Sequence, residues 1–292
     1  MSNTEKILPI VLTQANIANT TTNATFSYKL PGNSSTFKNA ELSISQIDIY
    51  NSIFNINNNI YNNGTFSIIF PTASTTYTLN ISLPNSYMAY SDINNYVEQQ
   101  MITAGLYLIN GSNNVYFWNI QSNSTLYACQ INEFSVPTTI GTYTKPPTGI
   151  YSSTGTGLPT TAYTPQTVIS ANGFATLTGI LAGTYPATQQ ITTYSVSSST
   201  APIINPVQSL NVHCSLCNSD ITVPPDYIGN ICPSAVQFGG LLSYQPTNYQ
   251  WISIPDQTVS QITVYFTDQV NNTIYLNDPT TTISLLIKLK NI

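Results

Sequence analysis

The run VSQITVYFTDQVNNTIYLNDPTTTISLLIKL, from Val259 to Leu289, decides the fold. Ile262, Val264 and Phe266 alternate with Thr263, Tyr265 and Thr267. After a polar break, Ile283, Leu285, Ile287 and Leu289 alternate with Ser284, Leu286, Lys288 and Lys290. Side chains on a strand change face at every residue, so each run presents one apolar and one wetter face. Leu286 interrupts the second wet face. Asn271-Asn272 and Asn277-Asp278-Pro279 between the runs are turn chemistry, because Asn and Asp tolerate left-handed dihedrals and proline fixes φ. Two strong strands held back for the C-terminal end need earlier strands to receive them. In a jelly roll the last two strands belong to opposite sheets and lie inside them, and that is the geometry expected here.

Earlier strand texture supplies the receivers. Phe26, Tyr28 and Leu30 alternate, then Pro31-Gly32-Asn33 turns the chain. Leu42 and Ile44 alternate before the apolar set shifts parity to Ile47 and Ile49, which predicts a bulge or a strand buried on both faces. Phe66 to Phe70, Tyr77 to Ile81, Val115 to Ile120 and Leu126 to Phe134 read as further strands. Asn110-Gly111 has the residue types of a type I′ hairpin turn. One amphipathic helix stands among them, capped by Ser91 or Asp92, with Ile93, Val97 and Met101 on one face and Gly105 ending it. At Pro137 the texture changes to Thr, Ser, Gly, Pro and Tyr and stays so to about 205. Within that segment the run Asn172 to Gly183 has a faint membrane-active look, but a strand or turn is the expectation. The fold class read from this pattern is all-β: a single jelly-roll β-sandwich with one short helix and a Thr/Ser/Pro/Gly-rich β/loop insertion. The expected partition is an N-terminal arm over 1–22, a jelly roll over 23–136 and 206–292, and an insertion over 137–205.

Composition excludes several functions. Charged residues make up 6% of the 292-residue chain, against roughly a quarter in an ordinary soluble domain. There is no arginine, and the six lysines are scattered. Nucleic-acid binding needs a concentrated positive footprint, so no nucleic-acid partner is expected. No stretch approaches the ~20 apolar residues of a membrane span, and the first residues lack a signal-peptide pattern. A polar surface of Asn, Ser, Thr, Gln and Tyr offers little charge repulsion between copies. It fits both a codon bias and a subunit made to be packed against others.

Signals for chemistry are sparse. His213, Cys214 and Cys217, with Cys232 further on, form the one metal-like cluster, since a Cys-x₂-Cys turn supplies two thiolates to zinc. Against it, His213 and Cys214 are adjacent on a strand and point to opposite faces. Buried free thiols are the expectation, with no metal and no cofactor. Asp256, Asp268 and Asp278 could frame a cation, but they read better as turn formers, and Val270 breaks the calcium-loop pattern. With one histidine and no hydrolase, nucleotide or zinc-protease motif, no catalytic residue is expected. The tyrosines fit either a sugar-stacking platform or a subunit interface.

Several runs resemble a known family. Ile49 to Ile56 (IYNSIFNI), Tyr61 to Phe66 (YNNGTF), Tyr77 to Pro84 (YTLNISLP) and Tyr90 to Met101 (YSDINNYVEQQM) are similar to the penton, or minor capsid, proteins of virophages, polinton-like elements and related double-jelly-roll-lineage double-stranded DNA viruses. Ile262 to Gln269 and Leu285 to Lys288 are similar too. The resemblance covers roughly 25–135 and 207–292, is diffuse, and leaves the insertion out. It implies a structural virion protein, a homopentamer of single jelly rolls closing the five-fold vertices of an icosahedral capsid assembled in the host cell. The neighbours it implies are trimers of the major capsid protein, with a vertex spike or other minor capsid proteins as further partners. A virion spike or fibre head binding a host glycan or receptor is the alternative.

Overall fold

The computed structural model describes residues 5–219 and 221–290. Up to residue 53 the chain forms β1 (Lys6–Leu12), β2 (Thr25–Lys29), β3 (Ser35–Phe37) and β4 (Ala40–Tyr50). It then forms β5 (Thr65–Pro71), β6 (Thr76–Ser82), α1 (Tyr90–Ala104), β7 (Leu108–Asn110), β8 (Asn113–Val115), β9 (Trp118–Asn123) and β10 (Ala128–Glu133). Next come β11 (Gln166–Ile169), α2 (Gly173–Thr178), β12 (Gly183–Tyr185) and β13 (Tyr194–Ser197). The last part holds β14 (Leu210–Cys214), β15 (Tyr227–Ile231), β16 (Leu241–Tyr244), β17 (Ile252–Ile254), β18 (Gln257–Val259), β19 (Gln261–Thr267) and β20 (Thr282–Leu289). Two compact units result: one made by the described residues up to Ile53 and from Val207 on, the other by Phe54–Pro206.

The first unit is a complete jelly roll. One sheet has the order β1-β20-β4-β16, with β17 also on β4, and the other has the order β15-β14-β19-β2. All these pairings are antiparallel. β19 and β20 therefore sit inside opposite sheets, the geometry expected of the last two strands of a jelly roll. Ile262, Val264, Phe266, Ile283, Leu285 and Ile287 are all buried. Each such side chain stabilises the fold by roughly 1.5–3 kcal/mol through removal from water. The parity shift in β4 is a bulge. Ser284 pairs with Gln46 and Leu285 with Ile44, which leaves Ser45 without a partner in the ladder. Leu286 is half-buried, opposite Pro9 and Ser43.

The second unit has its own core. Its sheets have the orders β13-β10-β9 and β12-β11-β5-β6. Phe66 stacks on Phe174 at 4.2 Å and on Trp118 at 6.0 Å between ring centroids. Ile68, Phe70, Ile131 and the α1 residues Tyr90, Ile93, Val97 and Met101 join the same cluster. α1 starts at Tyr90, earlier than the Ser91 or Asp92 cap predicts, and the Asp92 carboxylate reaches back to accept from the Ala89 N–H at 2.8 Å. Gly105 closes it with φ of +66°, and a Cβ there would lie 2.3 Å from the Thr148 carbonyl oxygen. The expected Asn110-Gly111 type I′ turn is corrected: Asn110 is the last residue of β7 and pairs with Asn113, so the loop is Gly111-Ser112, and Gly111 alone takes positive φ, +63°.

Three further expectations are corrected by this arrangement. Residues 6–12 of the expected arm are strand β1, paired along its length with β20; the arm's first four residues lie outside the described residues. The inserted unit begins at residue 54, not 137, because β5 pairs with β6 and with β11 from the Thr-rich segment, and β10 pairs with β9 and with β13 from that segment. Alternation identifies a strand but does not say which sheet receives it. The run from Asn172 forms helix α2, since the Asn172 side chain accepts from the Phe174 N–H and Phe174 and Leu177 turn into the core. No helix among the described residues is long and apolar enough to cross a membrane.

Candidate functional site

The residues with chemistry fall into one cluster in each unit. In the jelly roll, β14 pairs with β19 so that His213 stands opposite Tyr265 and Cys214 opposite Val264. Neighbouring positions on a strand alternate faces, so His213 shares the Tyr265 face and Cys214 joins the apolar one. His213 stacks on the Tyr265 ring at 4.6 Å between centroids and meets Tyr227 edge-on. Its Nδ1 lies 3.0 Å from Asp226 Oδ1 and its Nε2 lies 2.9 Å from Thr267 Oγ1. A carboxylate only accepts, so Nδ1 carries the hydrogen, and in the neutral ring Nε2 accepts from the threonine hydroxyl. Tyr265 donates its hydroxyl to Asp226 Oδ2 at 2.6 Å. Burial and the Asp226 carboxylate push the Tyr265 phenol up to about 12.

This hydroxyl–imidazole–carboxylate chain has the order of contacts of a hydrolase triad. His213 is 0% and Thr267 6% exposed, however, so the hydroxyl a nucleophile would need lies inside the protein. What the chain does here is hold three strands, β14, β19 and the start of β15, to one another.

The cysteines do not converge on His213. Cys214 and Cys217 bracket a turn closed by the Cys217 N–H on the Cys214 carbonyl at 3.0 Å. A hydrogen bond between their side chains lowers the Cys214 thiol and raises Cys217. Cys129, in the inserted unit, is pushed up to about 12 by burial. Cys129, Cys214 and Cys217 are buried and unbridged, whereas Cys232, expected to be buried with them, is exposed beside Ser234, 2.9 Å from its hydroxyl. Among the described residues no three His, Cys, Asp or Glu side chains gather in a way that could hold a metal ion. Asp268 and Asp278 work locally as turn formers, whereas Asp256 bonds to a distant part of the chain. Asp268 Oδ1 accepts from the N–H groups of Val270 and Asn272, Asp278 Oδ1 accepts from the Thr280 N–H and hydroxyl, and Asp256 Oδ1 accepts from the Asn39 N–H.

The inserted unit buries a carboxyl group that belongs to no sequence motif. Glu133, at the end of β10, is 0% exposed. Its Oε1 accepts from the Thr167 N–H at 3.0 Å and the Thr167 hydroxyl at 2.6 Å, and the same hydroxyl accepts from Trp118 Nε1 at 2.8 Å. Burial pushes the carboxyl up to about 8, against the opposing pull of Thr167. The signal for it is in the strand parity: Cys129, Ile131 and Glu133 share the inward face of β10.

The surface of the inserted unit carries a shallow, uncharged groove. Ala89, Ser91, Asn95 and Gln121 line one part and Asn123, Tyr127 and Pro202 another, with Tyr90 and Ser122 common to both.

No protein-family model matches the chain, and no curated protein matches it. Among solved structures, the mavirus penton protein is similar over 99% of this chain and 100% of its own, with a TM-score of 0.43 and 9% sequence identity. A chain of the Sputnik virophage structure determined by cryo-EM is similar over 98% of both chains, with a TM-score of 0.40 and 12% identity.

Proposed function

We propose that the protein is a structural capsomer of an icosahedral virion, which self-associates into a closed five-membered ring and plugs a capsid vertex. The observation that carries this reading is a complete jelly roll in a chain whose polar surface is almost free of charge. The one assembled hydroxyl–imidazole–carboxylate chain is buried, so shape and surface are what the molecule offers, and the protein is read as non-enzymatic. The number five comes from the sequence resemblance to penton proteins.

A ring needs a heterologous interface, in which one patch on each subunit meets a different patch on the next. Interfaces of this kind bury on the order of 1,600 Å² in total. Neutral Asn, Thr and Tyr surfaces supply such an area without the cost of desolvating charges. Few ion pairs would hold the ring, so it would be insensitive to salt. Its neighbours would be trimers of the major capsid protein, and its location the virion vertex.

The test is made on particles. Density or labelling that places the chain at the five-fold axes, at about sixty copies per particle (five at each of about twelve vertices), supports the proposal. A position away from those axes, or a trimeric decoration, would replace it with the spike or fibre-head reading.

A further inference from the structure

The buried Glu133 carboxyl has no part in the capsomer role. It lies where β10 of one sheet of the inserted unit meets β11 of the other. Thr167 on β11 receives both Glu133 from β10 and Trp118 from β9, so one threonine is the knot that ties two sheets. The knot uses only Oε1. Oε2 is buried and has no hydrogen-bond partner among the described residues. Leaving a buried neutral oxygen unpaired costs far less than leaving a buried charge unpaired.

The groups around it offer nothing to balance a charge. Trp118 and Tyr194 stand opposite Glu133 in the ladders of β9 and β13. Tyr185, from β12, stands near Tyr194, and Cys129 precedes Glu133 on its own strand. Tyr194 is raised by burial, by Glu133 and by Tyr185, so its phenol stays neutral and supplies no positive charge to balance a carboxylate. Among the described residues no lysine or histidine pairs with Glu133.

We propose that Glu133 is folded into the inserted unit as a neutral carboxylic acid, and that its ionisation at alkaline pH leaves a poorly paired buried charge between the two sheets, so that this unit opens while the jelly roll stays folded. The sign follows from proton linkage. A carboxyl raised from about 4.5 towards about 8 in the fold holds a proton that the unfolded chain has released. Between those two values the folded state therefore binds more protons, and stability falls as pH rises.

The experiment uses the full chain with Trp251→Phe, which leaves Trp118 as the single tryptophan reporter, beside the knot. Thermal unfolding is followed by Trp118 fluorescence at pH 6 and pH 9, with and without Glu133→Gln. With Glu133 in place, the expected midpoint is at least about 5 °C lower at pH 9 than at pH 6. In the Glu133→Gln protein that difference should shrink to less than half. Equal pH dependence in the two proteins overturns the proposal. Should the glutamine variant fail to fold, the carboxyl ¹³C resonance of Glu133, one of four glutamates in the chain, decides on the unsubstituted protein. A protonated shift at pH 6 that moves on alkalinisation together with the Trp118 signal supports it. A carboxylate shift at pH 6 overturns it.

Discussion

The jelly roll and the inserted unit are built from the same kind of strand, yet the polar network built around His213 in one and around Glu133 in the other is satisfied to a different degree. In the jelly roll, both ring nitrogens of His213 are occupied, and Asp226 accepts from both His213 and Tyr265. In the inserted unit, Glu133 is sealed in with one oxygen paired and the other not. A fully satisfied network holds its strands in one arrangement, whereas a buried carboxyl left half-satisfied makes stability depend on its proton. The low charge of the chain sharpens the contrast, since few carboxylates, lysines or histidines are present to mask such an effect near neutral pH.

The sharpest way to break the comparison is to destroy one unit and watch the other. Leu285 is fully buried in β20, between β1 and β4. Leu285→Asp places a charge there at a cost on the order of 5 kcal/mol, enough to remove the jelly roll's unfolding transition. The inserted unit has a core of its own, so Trp118 fluorescence should remain that of a buried indole in this variant. A jelly-roll transition that survives Leu285→Asp would show that β20 is not central to it.

The converse experiment replaces residues 137–205 with a short Gly/Ser linker. That removes β11, β12, β13 and α2, hence Thr167 and the stacked Phe174. The transition of the inserted unit should disappear while that of the jelly roll persists, as read by calorimetry. Retention of both transitions would restore a boundary near residue 137.

That boundary shows what sequence can and cannot carry. The C-terminal strands are legible because period-2 alternation over seven or eight residues leaves only one assignment of faces. The bulge at Ser45 is legible for the same reason, as a change of parity within one strand. The host unit of Phe66, Ile68 and Phe70 is not legible, because alternation gives the face a side chain occupies and not the partner strand. The shift in composition at Pro137 misleads because Thr and Ser suit both loops and strands. Thr167 has loop texture, yet it is the point where Glu133 and Trp118 meet. Likewise β1 looks like an arm because it is short and followed by Asn, Ala and Thr, but its partner, β20, lies at the far end of the chain. In the candidate site, His213 and the cysteines stand out by residue type. Asp226, Tyr265, Thr267 and Glu133 matter through tertiary placement, and only Glu133 announces itself, as an acid on an inward-facing strand position.

The smallest effect expected is also the one that completes the contrast in pH response. Glu41 on β4 is gripped by Lys288 and Lys290 of the β20 end, with Lys288 Nζ at 2.9 Å from Oε2 and Lys290 on Oε1. Hydrogen bonds from Lys290 and then Lys288 hold the Glu41 carboxyl below its ordinary value. A depressed carboxyl contributes stability above its unfolded value of about 4.5, and that contribution is lost as pH falls through the folded value. The jelly roll should therefore weaken towards acid, where the inserted unit is relieved of its penalty, and the two units respond to pH with opposite sign. The size is modest because the pair is near the surface: about 0.5–1 kcal/mol at low salt, less as salt screens it. Glu41→Gln should lower the jelly-roll midpoint at pH 7 by about 2–4 °C, and by less as pH falls through the folded value of the carboxyl. Lys288 also lies 4.4 Å from the centre of the Trp251 ring, so fluorescence of Trp251 reports the same corner. An equal loss of stability at pH 3 and pH 7 would assign the effect to packing of the Glu41 side chain and remove the acid limb from the comparison.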